Sequence, residues 1–446
     1  MKKKIIIIGA GSGRSRLDAF WREVGALPCE MVETTELASA VSMDGEWFHD
    51  YYDLEKLESH LKRLSPDDAV LIDEYLTAIR RFMTKSDPLG AQLVGTLPEK
   101  LASLPFFMTR LTYFRQTLES FGARFKHPLL RRAFPLLHSS VPQVPLFMHL
   151  VKHSSTLSGD LAWPRGGSLT IARNMAAHYE RFGGAVHYGK KVTRILTEND
   201  RACGVELEDG TRHRADFVVS NADGRKTIRD LLGGRYVNGK IAAMCAPNPD
   251  VDRPFAVHVF LGVKRDLSAY PGTLIVFLDR PASIAGHVCD HLHLQVYGFD
   301  PSMASAGKGV IKAELFSRES YFARLASDAD AYQAEKRRVA DQVISLLEKV
   351  FPGLREDVEE IDVPTLRTWE RFMGGTGGCD NFPNRPGGPD VLGAVLGLGG
   401  NDTLPGLKNF FFAGSWVTSA GALLMNALAG RTAVKKICRR CERRFR

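Results

Sequence analysis

Hydrophobic and polar positions change period several times along the chain, and each period predicts an element. Ile5 to Ile8 is a run of four β-branched residues that stops at Gly9-Ala10-Gly11. Apolar on both faces, it predicts a parallel strand buried from both sides and left through a tight turn. From Asp53 to Met83 the period is helical. Leu54, Leu57, Leu61 and Leu64 share one face, Ser65-Pro66-Asp67-Asp68 is expected to cap a second helix, and Leu71, Ile72, Tyr75, Leu76, Ile79 and Phe82 form its apolar side. Leu101 to Val151 is rich in Phe, Leu and Met and is broken by Pro105, Pro128, Pro135, Pro142 and Pro145, which predicts short helices. Its seven phenylalanines (106, 107, 114, 121, 125, 134 and 147) suit either a packed core or the wall of a pocket for a greasy ligand.

Beyond Trp163-Pro164-Arg165-Gly166-Gly167-Ser168, a helix is expected from Leu169 to Phe182. Strands follow at Ala185–Tyr188, Lys191–Glu198, Ala202–Glu208 and Arg212–Val219, the last two joined by the Asp209-Gly210 turn. Ser220-Asn221-Ala222-Asp223 closes the last strand and opens a helix. Strict alternation returns at Phe255–Leu261 and His291–Tyr297. Ala334 to Val350 is amphipathic, Gly374 to Gly378 is a glycine-rich loop, Asn409 to Gly414 is an apolar strand, and Ala422 to Cys438 reads as a helix.

Composition narrows the class. Apolar residues are 44% and charged residues 25%, values of a globular chain and not of a disordered or collagenous one. The formal charge is +8, but Lys435–Arg446 alone holds seven cations and Glu442, so the body is near neutral and a nucleic-acid face is not expected. That basic tail is a candidate for peripheral contact with anionic lipid headgroups. Seven cysteines, an odd number in a long chain, do not form a disulfide framework, and the single Cys438-x-x-Cys441 has no second ligand pair for zinc. His291 and His293 share a strand face without an evident third ligand, so no metal site is expected. No segment approaches the ~18 apolar residues of a membrane span, and a cytoplasmic location is expected.

The strongest local chemistry is the strand before Gly9-Ala10-Gly11, the beginning of a dinucleotide fingerprint: a tight turn, close backbone approach to a pyrophosphate, and a helix N-terminus aimed at the anion. Arg14 stands where the third glycine belongs, and Glu33 does not close a clean βαβ unit. In order along the chain come Trp163–Ser168, a strand with Val192 and Ile195, Phe217–Asp223 and Phe412-Ala413-Gly414-Ser415-Trp416. With these motifs the sequence resembles the flavin-dependent phytoene desaturase, carotenoid isomerase and retinol saturase family, within the amine-oxidase-like flavoproteins. The resemblance covers the first eleven residues and nearly everything from Phe20 onward.

The resemblance implies an α/β fold with a discontinuous Rossmann-type FAD-binding domain (1–20, 160–235 and 400–446) and an inserted α+β substrate domain (21–159 and 236–399). It implies that Gly9, Ala10 and Gly11 lie at the FAD pyrophosphate and that Val192 offers its backbone to the adenine. Asn221 and Ala222 would end a strand beside the cofactor. Gly414 and Ser415 would approach the phosphate and ribityl chain, and Ala422, Leu423 and Leu424 would start a helix aimed at the flavin ring. Two departures stand out. Gly11 runs through Ser12–Arg16 directly into Leu17, so the FAD-binding region looks truncated by more than one ~30-residue βαβ unit. Ser415 replaces the larger acid or amide usual at that place. Two readings follow. One is an FAD-dependent oxidoreductase exchanging a hydride with an unsaturated lipophilic substrate (isoprenoid, carotenoid or retinoid-like), with no catalytic side chain singled out. The other is a cofactor-free relative that binds a lipid or a protein partner.

Overall fold

The computed structural model describes residues 7–8, 16–83, 88–138, 143–157, 161–239, 241–242, 254–373, 402–417 and 423–445. The chain divides into two compact units. The first comprises residues 1–91, 95–175 and 252–365; the second comprises 92–94, 176–251 and 366–446.

The first unit is built on a seven-stranded sheet. Its strands are β3 (Glu36–Val41), β4 (Trp47–Tyr51), β10 (Pro254–Val263), β11 (Thr273–Ile284), β12 (His287–Val296), β13 (Gly309–Arg318) and β14 (Val358–Asp362), in the order β14-β10-β13-β12-β11-β3-β4. All neighbours are antiparallel except β11 and β3, which run parallel. The alternation seen at Phe255–Leu261 is the pleat of β10: Phe255, Val257, Val259 and Leu261 are buried, and the residues between them are half-buried. The helix Ala329–Leu347 packs on β10 and β11. The helix Leu54–Leu64 packs against β4.

Two consecutive helices follow the predicted apolar faces. Leu54–Leu64 is capped by Asp53, whose carboxylate accepts the N–H groups of Glu55 and Lys56 at 2.9 Å, an arrangement worth about 1 kcal/mol. Ala69–Phe82 buries Leu71, Ile72, Tyr75, Leu76, Ile79 and Phe82. Its entrance differs from expectation. Pro66–Asp68 forms a separate 3-10 turn, and Asp68 does not cap the helix. The Asp68 carboxylate instead accepts the N–H groups of Lys126 and His127 and the Ser65 hydroxyl, pinning a distant loop.

The expected short helices fill the phenylalanine-rich stretch: Leu97–Met108, Leu111–Arg115, Leu118–Gly122, Pro128–Ala133 and Leu146–Leu157. Five of its seven phenylalanines are buried, and the rings contact one another: the half-buried Phe114 stacks on Phe147 with centroids 3.7 Å apart, and Phe125 and Phe134 meet tilted at 4.4 Å. These rings are core.

The N-terminal strand departs from the sequence expectation. The described part of β1 (Ile7–Ile8) pairs antiparallel with β5 (Leu161–Pro164), whose other edge holds β2 (Met31–Val32). A strand expected in a parallel layer therefore lies in a small antiparallel sheet. Gly9, Ala10 and Gly11 lie outside the described residues, as do Ala422 and the Gly374–Gly378 loop.

The second unit holds an antiparallel meander, β6 (Val192–Glu198), β7 (Arg201–Leu207) and β8 (Arg212–Arg214), beside a parallel pair, β9 (Val218–Ser220) and β15 (Phe410–Phe412). Two expectations are corrected here. Ala185–Tyr188 is not a strand; it lies between Gly183 and Gly189, both at positive φ, and is half-buried or exposed. Arg212–Val219 is two strands. Its first part stays with β7, and after Ala215 the chain turns to pair with β15, where Asn409 donates from Nδ2 to the Asp216 carbonyl at 2.9 Å. Ile195, Ala202, Val218, Ile228, Phe410 and Phe412 belong to one apolar core.

Candidate functional site

Parallel strands direct their carboxyl ends to one edge, and ligands of α/β sheets bind outside that edge. In the second unit β9 and β15 are in register, with Val218 opposite Phe410 and Ser220 opposite Phe412. Their C-terminal extensions carry two of the sequence-predicted segments. Beyond β9 come Asn221 and Ala222, both exposed; beyond β15 come Gly414, buried, and Ser415, half-buried. The Ala413 N–H donates to the Ser220 carbonyl at 2.9 Å and continues the ladder into this edge.

Close packing brings these segments together. Gly414 has φ +73°, and a Cβ there would fall 1.7 Å from Asn221 Oδ1. Only a glycine accepts both the left-handed backbone and that approach. Gly224 stands in the first turn after Asp223, whose carboxylate caps it by accepting the Lys226 N–H at 2.8 Å. The Trp416 ring covers Gly224 so closely that a Cβ would meet Cδ2 and Cε2 at 2.1 Å. Ser220 and Thr227 share a buried hydroxyl contact of 2.9 Å. Leu423 opens the helix Leu423–Arg440, Leu424 is buried, and Ser415 donates from Oγ to Asn426 Oδ1 at 3.3 Å, joining the helix start to the strand end. Val192 pairs with Leu207 at the start of β6 and packs against the core that holds Val218, Phe410 and Phe412.

Asn221, Ala222, Gly414, Ser415 and the helix beginning at Leu423 thus converge on one edge, and Val192 stands on the meander beside it. The segments suit a flavin in their chemistry: free strand-end backbone, a glycine permitting close approach, and a helix N-terminus that favours negative charge. The glycine loop expected to hold the pyrophosphate lies outside the described residues.

The Trp163–Ser168 motif has a clear structural part in the first unit. The buried Asp300 carboxylate accepts Trp163 Nε1–H at 2.8 Å and Gly166 N–H at 2.9 Å on one oxygen, and Ser302 N–H and Oγ–H on the other. Burial alone would raise the Asp300 pKa, but these donors hold it below the usual carboxylate value. Gly166 and Gly167, at φ +80° and +70°, turn the chain into the helix Ser168–Arg181.

A second constellation in the first unit escaped the sequence reading. Asp50 on β4, Tyr75, His149, Lys152 and His153 are all buried. Tyr75 donates from Oη to Asp50 Oδ1 at 3.2 Å and lies 2.7 Å from His149 Nε2. His153 Nε2 is 3.1 Å from the Tyr51 carbonyl and 3.5 Å from Asp50 Oδ1. One proton arrangement links the row: His149 donates from Nε2 to the Tyr75 oxygen, and Tyr75 donates on to Asp50, leaving Asp50 Oδ2 and His149 Nδ1 buried without a hydrogen-bond partner among the described residues. Burial and the nearby Asp50 charge lift Tyr75 well above its ordinary pKa. Burial pushes His149 down to about 3 and Lys152 down to about 8, with Asp50 opposing both shifts. The available signal was His149 and His153 four apart, with Lys152 between, on a helix whose other residues from Leu146 to Val151 are apolar. Of the two histidines His291 and His293 on one strand, His291 pairs with Asp290 at 2.8 Å, and no group of three or more metal-ligating side chains occurs among the described residues.

Comparison with solved structures bears on the fold. An oxidoreductase from Methanosarcina mazei aligns over 96% of this chain and 87% of that one, at 17% identity and a TM-score of 0.51. The chain therefore has a mixed α/β fold like that of this structure. The model of the family described as flavin containing amine oxidoreductase matches residues 76–228. A phytoene desaturase (lycopene-forming) from Paracoccus sp. (strain N81106 / MBIC 01143) is 30% identical over 200 residues, 42% of this chain and 38% of that protein. A chloroplastic prolycopene isomerase from an Oncidium hybrid cultivar is 28% identical over 233 residues, 48% of this chain and 36% of that one. Over part of its length the chain is thus similar to a flavin amine oxidoreductase model and to proteins named as a carotenoid desaturase and isomerase, and the two protein matches span under two fifths of the length of those proteins.

Proposed function

We propose that this chain is an FAD-dependent oxidoreductase that exchanges a hydride with an unsaturated lipophilic substrate of the isoprenoid or carotenoid class. The observation that carries the reading is the paired strand edge of β9 and β15, where Asn221 and Gly414 meet at a contact only glycine permits. The names of the two relatives supply the substrate class. When bound, FAD supplies two-electron hydride chemistry. The chain's own part is to hold it: Gly9–Gly11 at the pyrophosphate, Val192 at the adenine, Asn221, Ala222, Gly414 and Ser415 along the chain toward the ring, and Ala422–Leu424 at the helix start. We assign the cofactor half to residues 1–20, 160–235 and 400–446, and the substrate half to 21–159 and 236–399. The short passage from Gly11 to Leu17 and the small Ser415 side chain predict weaker FAD affinity than a full fingerprint gives.

The test is anaerobic incubation of the purified protein with FAD and a linear C40 polyene such as phytoene or lycopene. A shift of the polyene absorption together with flavin reduction or reoxidation supports the reading; an unchanged polyene with bound flavin overturns the substrate class. A second reading, a cofactor-free lipid-binding relative, is favoured by β1, which pairs antiparallel with β5 where a dinucleotide fold places a parallel strand. Absence of any FAD binding selects it.

A further inference from the structure

The helix Leu97–Met108 is turned inside out. Its outward face carries Leu97, Leu101, Leu104 and Met108, spaced four, three and four residues apart and 70%, 57%, 36% and 62% exposed. Pro98, Ala102 and Pro105 between them are exposed too, whereas the polar Ser103 is buried. Leu111, 38% exposed, stands just beyond the helix end. A helix in water normally shows the reverse order, polar side out.

Both ends of this helix have their backbone groups supplied from within the chain. At the start, the Glu99 carboxylate accepts the Thr96 N–H at 2.7 Å in a capping box. At the end, the Pro105 carbonyl accepts from Thr109 N–H and Oγ–H. The Phe106 carbonyl accepts from Thr109 Oγ–H and an Arg110 guanidinium N–H at 3.0 Å, and the Phe107 carbonyl accepts the Arg110 N–H. A helix end with its carbonyls bonded internally loses little when water is withdrawn.

Charge supplies the third observation. Glu99, the helix's single carboxylate, is held by Arg16 at 2.8 Å. Lys100 lies on the same helix, and Arg110, lying over the Phe106 ring at 3.9 Å, joins its end to Arg81 by donating to the Arg81 carbonyl; all three cations are half-buried or exposed. Apolar side chains bordered by cations complement the surface of an anionic bilayer: the stripe enters the acyl boundary and the cations stay at headgroup level. The basic C-terminal tail is less free for that task. Lys436 is bound to Asp402 at 2.5 Å, and Arg440 lies over the Phe411 ring at 4.7 Å.

We infer that Leu97–Met108 is the membrane-docking element of the chain, inserting Leu97, Leu101, Leu104 and Met108 into an anionic lipid surface. This is independent of flavin and substrate. The test is co-sedimentation of the full chain with vesicles of phosphatidylcholine containing roughly a third phosphatidylglycerol. The double variant Leu101→Ser/Met108→Ser is compared with a tail variant carrying Arg439, Arg443 and Arg444→Gln. The expected result is vesicle binding by the wild type, at least about tenfold weaker binding by the double variant, and a smaller change in the tail variant. Circular dichroism of the double variant should match the wild type, because both side chains are exposed. Unchanged binding by the double variant, or loss confined to the tail variant, overturns the inference. So does a wild type that ignores vesicles but forms a dimer that the double variant breaks, since the face would then belong to a second copy.

Discussion

Replacing Gly224 by alanine tests the packing that brings the two strand ends together. The new Cβ would lie 2.1 Å from Trp416 Cδ2 and Cε2 and 2.6 Å from Cε3. A carbon pair rests at about 3.5–4.0 Å, so the indole must retreat by roughly 1.5 Å. It cannot do so alone, because Trp416 closes the 3-10 turn Gly414–Trp416 that extends β15. Overpacking of this kind costs about 1–3 kcal/mol, and the loss of unfolded-state freedom from Gly to Ala returns about 0.4–1 kcal/mol. A net loss of about 1–2 kcal/mol is expected, a fall in melting temperature of about 2–8 °C for a unit of this size. Thermal unfolding followed by near-UV circular dichroism measures it. A double-mutant cycle with Trp416→Leu isolates the cause, since in that background the alanine should be nearly neutral. An alanine variant as stable as the wild type, or one equally destabilised in both backgrounds, would refute this packing.

Three further outcomes are expected. His149 is held neutral down to about 3, against 6.5 unperturbed, so the unfolded chain binds its proton first and stability falls as pH drops through this window. Urea midpoints at neutral and mildly acidic pH should show that fall, and His149→Gln should flatten it. Lys152 is lowered to about 8 from 10.5, so stability rises with pH between those values; Lys152→Met should raise the urea midpoint at pH 7 and abolish the rise. Asp300→Ala strands donors on Trp163, Gly166 and Ser302 and should cost about 2–4 kcal/mol in chemical denaturation, with Asp300→Asn costing less.

Much of the local structure was legible because period reports on burial. The helix Ala69–Phe82 and strand β10 follow their apolar patterns residue by residue, whereas the cap expected from Ser65–Asp68 does not form, because Asp68 turns its carboxylate to Lys126 and His127. Pairing partners were not legible. The Ile5–Ile8 run has the composition of a parallel strand, yet β1 takes β5 as an antiparallel neighbour about 150 residues away, and no local signal encodes that choice. The break of Arg212–Val219 into β8 and β9 comes from a change of partner, which alternation does not reveal. At the strand edge, motif order pointed to Asn221 and Gly414, but only the fold shows them touching. The Asp50–Tyr75–His149 row stayed hidden because its members are 25 and 74 residues apart. The leucines of Leu97–Met108 show the same limit: spacing gives a face, not which side meets solvent.

The most direct test of the flavoprotein reading is a titration of the purified chain with FAD, followed by gel filtration and an absorbance spectrum of the protein peak. A cofactor site at the β9 and β15 edge predicts flavin bands that travel with the protein, and bands that weaken in Gly224→Ala through displacement of Trp416 and the adjoining Gly414 turn. A colourless protein peak at saturating FAD would contradict that site and leave the cofactor-free reading in its place.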